Sequence, residues 1–369
     1  MNLISSTPVA STPGRICLFG EHQDYLGLPV IAAAISRQIN IEATRTTNPE
    51  VRLHLPDLQS EERFSVAQFP LTYAHKRDYF RSAMNVLWRE GLRFSGGIEG
   101  RIWSTIPINA GTSSSSALIV TWLNLLSQLA DEPRTFTPAQ LAEFGYVAEV
   151  LEFGEPGGMM DHYSTAIGGV IYLESQPQIR VEPFAIGGSG LQLGAFVLGD
   201  SGEPKDTIGI LRHVKYGMLD AMAKMKAHHP NFAFETLPAD AITDYDHLLT
   251  PDERALVRGN LSDRDVLREA LAMFRSGTID HDRLGQLLTI HQTSLREAKR
   301  VSTPKIDRML DAALQAGALG GKINGSGGGG CMFAYAPQQP EAVAEAIERA
   351  GGKAYVISID EGTRCSSGS

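Results

Sequence analysis

Apolar residues in this chain fall into short dense runs and longer helical-period runs, and the two alternate. Residues 30–44 (VIAAAISRQINIEAT) are apolar and β-branched and predict a strand, closed by a polar turn at 46–50. Residues 16–19 predict a shorter strand, and 169–173 (GVIYL) a short buried one. Residues 77–89 and 113–130 carry the spacing of helices. Pro177, Pro183, Gly187, Gly188 and Gly190 then crowd into 175–194, which marks a boundary between domains of 1–180 and 190–369. Past it, 195–199 predicts a strand, and several helical stretches follow between 207 and 316, the clearest at 284–300 and 304–316. Residues 331–336 and 354–359 predict strands flanking a helix at 340–350. Segment 226–265 shows only a helix-rich insert. Both halves are therefore α+β.

Composition narrows the class. The 369 residues are 43% apolar and 20% charged, an ordinary globular enzyme long enough for two cores. The 33 basic and 42 acidic side chains leave a net charge of -9, which argues against a nucleic-acid or anionic-membrane partner. Cys17, Cys331 and Cys365 are odd in number and far apart, so no disulfide framework or zinc spacing emerges and a reducing, cytoplasmic location is expected. Residues 1–13 lack the pattern of a secretion signal. The most apolar stretch, 117–126, is far shorter than the roughly 20 residues a membrane span needs. There are 37 glycines but no repeat or low-complexity segment, so glycine is placed where backbone must turn or approach something closely.

Four clusters carry chemistry. In Pro13-Gly14-Arg15-Ile16-Cys17-Leu18-Phe19-Gly20-Glu21-His22-Gln23-Asp24-Tyr25, a strand ends in a glycine turn and polar groups crowd after it, either as a solvated turn or as a hydrogen-bonding wall for a polyhydroxyl ligand. In Pro107-Ile108-Asn109-Ala110-Gly111-Thr112-Ser113-Ser114-Ser115-Ser116-Ala117, a glycine turn and four serines open a helix. Free amides and the positive end of the helix dipole make an anion site there, and the hydroxyls suit Mg²⁺; a helix cap alone needs only one serine. Glu149 lies on a predicted helix, and Pro156-Gly157-Gly158 turns the chain so that Asp161 can face back, giving one carboxylate for a metal and one for a reacting hydroxyl. His162 beside it reads as structural. Finally, Lys322-Ile323-Asn324-Gly325-Ser326-Gly327-Gly328-Gly329-Gly330-Cys331 runs into a strand, which is the wrong context for a dinucleotide fold. Its backbone can pack against a bulky anion or against another loop.

These clusters, in this order, resemble the galacto-, homoserine, mevalonate and phosphomevalonate (GHMP) kinases over about residues 10–335. Gly20-Glu21-His22-x-Asp24-Tyr25 is similar to the galactokinase signature. Asn109 stands where the family usually has glycine, Thr112 where it has leucine, and His162 where galactokinases have glutamine. The all-glycine run at 327–330 is closer to mevalonate and heptose kinases, and the sugar-contacting tyrosine has only Tyr216 as a substitute. The resemblance implies a ribosomal-protein-S5-like N-terminal domain, a ferredoxin-like C-terminal domain, and ATP with Mg²⁺ as cofactors of phosphoryl transfer to a monosaccharide, at the anomeric 1-OH. It further implies Asp161 as base with Arg15 beside it, and Glu21, His22, Asp24, Gly158 and Tyr216 on the acceptor. Pro107, Asn109, Ala110, Gly111, Thr112, Ser113, Ser114, Ser115, Gly327, Gly328 and Gly329 would hold ATP, and Ser115 with Glu149 the metal. A monomer or homodimer is expected. The rivals are a mevalonate-type kinase, a sugar-acid kinase drawing on Lys205 or Arg212 as an extra cation, and an inactive sensor of sugar and nucleotide.

Overall fold

Two β-sheets and the helices packed on them form the protein, seen here in a computed structural model that describes residues 7–107, 111–204, 209–210 and 212–367. The first sheet has eight strands: β1 (Pro8–Phe19), β2 (Val30–Thr46), β3 (Glu50–Leu55), β4 (Ser60–Ser65), β5 (Gly97–Ser104), β6 (Val170–Glu174), β7 (Arg180–Phe184) and, from the far end of the chain, β12 (Arg364–Ser367). Its order is β12-β1-β2-β5-β3-β4, with β6 pairing the first part of β2 and β7 pairing β6. The second sheet takes β8 (Phe196–Asp200), β9 (Gly320–Ile323), β10 (Cys331–Tyr335) and β11 (Lys353–Ile357) in the order β11-β8-β10-β9, all antiparallel.

Strand periodicity explains how the layers share their cores. Successive side chains point to opposite faces. On β1 and β2, Cys17, Val30 and Ala32 face a core closed by helices Tyr79–Arg89, Ser114–Leu129, Pro138–Tyr146 and Met160–Ile167. Their neighbours Ile16, Leu18, Ile31, Ala33 and Ile35 face a middle core instead, together with Phe196 and Leu198 of β8 and Phe333 of β10. Val197, Met332 and Ala334 point the other way, into a third core with helices Pro304–Gln315 and Pro340–Arg349. Hence 30–35 is buried without a break, whereas Ile39, Ile41 and Ala43 alternate with less buried residues where β2 runs beyond the second layer.

Two differences from the sequence reading matter, and the segment read as helix-rich gains its detail. The supposed boundary 175–194 contains β7, and the chain's last strand returns to pair with β1, so the first sheet draws on both ends of the chain. The helix expected over 284–300 is His281–Thr293 followed by a single π-turn, Ser294–Ala298. Within 226–265, the 3₁₀ turn Asp240–Tyr245 precedes a 26-residue helix, Pro251–Ser276, entered through a Thr250/Glu253 capping box. No helix among the described residues is long and apolar enough to cross a membrane.

A buried ionic network fastens the halves together. Lys322 Nζ on β9 meets Glu21 Oε2 at 2.8 Å, Lys299 Nζ meets Asp263 Oδ2 at 2.7 Å, and Lys299 also donates to the Glu21 carbonyl at 2.8 Å. Both lysines and Asp263 are wholly buried. Removing one partner of such a pair strands the other charge, which costs about 3–5 kcal/mol, while removing both costs far less. Lys322→Met should therefore lower the urea-unfolding free energy by about 3–5 kcal/mol, and Glu21→Gln in the same chain should restore most of it. A double variant no more stable than Lys322→Met would show that the pair does not carry this stability.

Candidate active site

The β1–β2 turn, the start of helix Ser114–Leu129, the start of helix Met160–Ile167 and the β9–β10 turn converge on Arg15. The Arg15 guanidinium donates to Asp161 Oδ1 from Nε at 2.8 Å and approaches it with a second nitrogen at 2.7 Å, while Nη1 donates to the Gly111 carbonyl at 2.7 Å. Asn324, just before the glycine turn, donates to the same Gly111 carbonyl at 2.9 Å and accepts from the Cys17 amide at 2.9 Å. Arg15 is 4% exposed but the Asp161 side chain 33%, so the carboxylate alone is offered to a ligand. Burial by itself would raise the Asp161 pKa. The Arg15 charge overrides it and holds the carboxyl below the usual range.

Asp24 shares this wall. Its Oδ2 accepts from the Met160 amide at 3.4 Å, and it lies so close to the 157–160 segment that a Cβ on Gly158 would stand 1.9 Å from it. Burial, and then the neighbouring Asp161 charge, push Asp24 up to about 6. Glu21 and His22 are placed differently from expectation. Lys322 turns Glu21 into the interior, and His22 is held by the Tyr25 hydroxyl at Nδ1 (2.8 Å) and the Ser326 carbonyl at Nε2 (3.1 Å). The carbonyl can only accept, so Nε2 carries the proton and Nδ1 accepts from Tyr25. Burial, and then Lys299, lower His22 to about 4, so it is neutral at physiological pH. Tyr216 is half exposed, whereas Lys215 beside it donates to the Pro156 carbonyl at 2.8 Å.

The serine turn keeps unoccupied donors. Ser113 sits in the left-handed region (φ 60°) and caps nothing with its side chain. Its Oγ lies beside the Asp161 carboxylate without closing a well-formed hydrogen bond, and the buried Thr112 Oγ1 is likewise unpartnered. The first bond into the helix runs from Ala117 N–H to the Ser113 carbonyl, which leaves the amides of 114–116 without intrahelical acceptors. Ser114 and Ser115 are half-buried. Ser116, not Ser115, donates to Glu149 Oε2 at 2.7 Å, and His162 Nε2 meets the same oxygen at 2.7 Å. Glu149 itself rides on a π-turn, Val147–Leu151. In the glycine turn, the Gly328 amide is already donated to Val301 O at 2.7 Å, leaving Gly327 and Gly329 as the other expected ATP contacts there. Asn109, Ala110 and Lys205 lie outside the described residues, and Arg212 is exposed. Pro107 opens onto a groove of about 450 Å³ that Arg37, Asp57, Thr105, Asp200, Lys353 and Tyr355 also line. A second groove of about 440 Å³, between helices Pro251–Ser276 and His281–Thr293, includes none of these groups.

Ser116, Lys215, Lys322, Asn324 and His162 make contacts in the site that the sequence motifs assign to none of them. A signal existed for Lys322 and Asn324, two polar residues in an apolar strand next to a glycine turn. For the others there was none short of the fold.

Comparison with known proteins decides the family. GHMP kinases N terminal domain matches 78–169, GHMP kinases C terminal matches 267–354, and the galactokinase galactose-binding signature matches 4–45. A mevalonate kinase of Thermococcus sibiricus is 32% identical over 96% of this chain and 97% of its own. The chain belongs to the GHMP kinases. A galactokinase of Streptomyces coelicolor is 29% identical over 93% of this chain and 88% of its own. In fold, this GHMP kinase is similar to Lactococcus lactis galactokinase complexed with galactose, with a TM-score of 0.82, 22% identity, and 97% and 95% of the two chains covered.

The two facing carboxylates of this kinase give a pH prediction. Asp161 is ionised well below neutrality, and Asp24 ionises only as the pH passes about 6. A hydroxyl donating to Asp24 is held more strongly by the charged carboxylate than by the protonated one, so acceptor KM should fall as pH rises from 5 to 7, then level. Asp24→Asn should flatten that limb, and an unchanged KM–pH profile in Asp24→Asn would assign the limb to another group.

Proposed function

We propose that this GHMP kinase transfers the γ-phosphoryl group of ATP to a hydroxyl of a monosaccharide, at the anomeric 1-OH. The observation that carries the reading is the Arg15–Asp161 pair with Asp24 packed against the same turn: one carboxylate paired and ionised, the other free to accept from a second hydroxyl. The unpartnered Thr112 and Ser113 hydroxyls and the open amides of 114–116 fit phosphate oxygens. The groove beginning at Pro107 fits the nucleoside end of ATP. Ser115 and Glu149 Oε1 are hard oxygen donors of the kind Mg²⁺ accepts together with substrate phosphates. Bound there, Mg²⁺ would supply charge neutralisation to the phosphates.

In the reaction, Asp161 receives the acceptor's hydroxyl proton as that oxygen bonds to the γ-phosphorus. The bond from this phosphorus to the β–γ bridging oxygen breaks, and ADP leaves with the electron pair. Arg15 keeps Asp161 ionised before transfer and sits where negative charge gathers during it. Gly111, held by Arg15 and Asn324 through its carbonyl, fixes the phosphate turn against the acceptor side.

Mevalonate is the second reading. It is favoured by the 32% identity to a mevalonate kinase and by Glu21 and His22 facing inward, which removes two of the expected sugar contacts. One ATP-consumption assay with galactose, arabinose, galacturonate and mevalonate separates the readings. Turnover with mevalonate and none with the sugars would overturn ours. With the best acceptor, Asp161→Asn, which keeps a hydrogen-bond acceptor for Arg15, should lose about 10²–10⁴-fold in kcat while ATP binding holds. Retained kcat would remove Asp161 as the base.

A further inference from the structure

Lys215 is the one cation from the second half of the chain that the described structure brings to the acceptor wall. It comes from a π-turn, Arg212–Tyr216, at the head of helix Gly217–His228. Its ammonium donates to the Pro156 carbonyl at 2.8 Å and stands 5.0 Å from the centroid of the Tyr25 ring. That ring is a fixed platform, because the Tyr25 hydroxyl is committed to His22. Pro156 lies two residues before Gly158, whose missing side chain admits Asp24. The 156–158 turn therefore has Lys215 at one side and Asp24 at the other, and it leads straight into Asp161.

Lys215 and Asp24 sense each other's charge, yet no ion pair joins them, and among the described residues no carboxylate lies within ion-pair distance of Lys215. An ammonium has three donors, and Pro156 takes one. Burial lowers the lysine's pKa while Asp24 opposes that shift, as expected for a half-buried cation with no anion of its own. A donor and an acceptor held apart on one wall match two neighbouring hydroxyls, one accepting from Lys215 and the other donating to Asp24. An acceptor's carboxylate at Lys215 would instead sit in the field of Asp24 and Asp161, with Arg15 already engaged by Asp161.

We infer that Lys215 is a specificity-determining residue: with Asp24 it grips a pair of adjacent hydroxyls and selects a neutral polyol acceptor over one bearing a carboxylate. The inference rests on the sugar-kinase reading above and deepens it.

The test compares the full-length wild type with Lys215→Met and Lys215→Gln, using galactose, its singly deoxygenated analogues, galacturonate and mevalonate. For Lys215→Met, the KM for the neutral sugar should rise about 10- to 100-fold with ATP KM unchanged and kcat less affected than KM. Its preference for the parent sugar over one deoxy analogue should collapse, and Lys215→Gln, which keeps a donor, should recover part of the loss. Unchanged KM and unchanged deoxy discrimination in a wild type that does phosphorylate sugars would overturn the role of Lys215 alone. A wild type that prefers galacturonate or mevalonate, with that preference lost in Lys215→Met, would make Lys215 a carboxylate anchor and overturn the polyol selection. A wild type inactive on every sugar would overturn the sugar-kinase reading itself, and with it this inference.

Discussion

Everything in the site hangs on how the buried Arg15 is satisfied. A guanidinium withdrawn from water must find partners for its donors or cost several kcal/mol. Arg15 finds them in two places, the Asp161 carboxylate and the Gly111 carbonyl, while its own amide donates to Thr112 O at 3.1 Å. A residue on β1 thus fixes the Asp161 carboxylate from one helix and the serine turn leading into another. Asn324 brings in the glycine turn by sharing the Gly111 carbonyl. Loss of any one partner would leave a charge or a carbonyl unpaired in the interior, so the four segments have one low-energy arrangement and not several.

The second ionic network performs a related task at greater depth. Lys322 and Lys299 hold the side chain and the backbone carbonyl of Glu21, fixing the turn in which His22 takes a left-handed conformation (φ 66°). Asp24 and Tyr25 leave that turn already aimed at the 156–158 segment. Two residues that look in sequence like acceptor contacts therefore act here as the anchor that aims the next two. The overall charge of -9 is no obstacle to binding ATP in such a molecule. Cations and unpaired donors are placed locally at Arg15, Thr112, Ser113 and the first amides of helix Ser114–Leu129.

Much of this was legible before folding, for identifiable reasons. β2 and helix Ser114–Leu129 announce themselves because long apolar runs leave little choice of period. β7 was hidden because Pro183 sits within it, which is tolerated only because the strand lies at an edge, paired with β6 alone. β12 (RCSS) has no hydrophobic pattern to read, and it is held to β1 by backbone pairing. β1 was read too short, since Pro8 and Pro13 interrupt its pattern and the register shifts between Pro13 and Gly14. In the site, Arg15, Asp24, Gly158 and Asp161 were readable as motif residues. The inward turn of Glu21 was not, because its partner lies 301 positions away. The Ser116–Glu149 hydrogen bond joins residues 33 positions apart, which composition does not reveal.

The all-glycine turn, which in sequence departs from the galactokinase form, has a cause in the fold. A Cβ on Gly325 would stand 2.7 Å from Gly111 O, one on Gly327 2.7 Å from Val301 Cβ, and one on Gly329 2.8 Å from Pro204 O. All three positions have positive φ, and the 328 and 330 amides bond to Val301 O and Glu203 O. Side chains are therefore excluded by neighbouring loops of the protein itself, at backbone that has no freedom to retreat. None of those neighbours is Asp24, Gly158, Asp161 or Lys215. The glycine run thus reports how tightly three loops close on one another. The wall formed by Asp24, the 156–158 turn and the residue that π-turn Arg212–Tyr216 lays against it stands apart from those contacts.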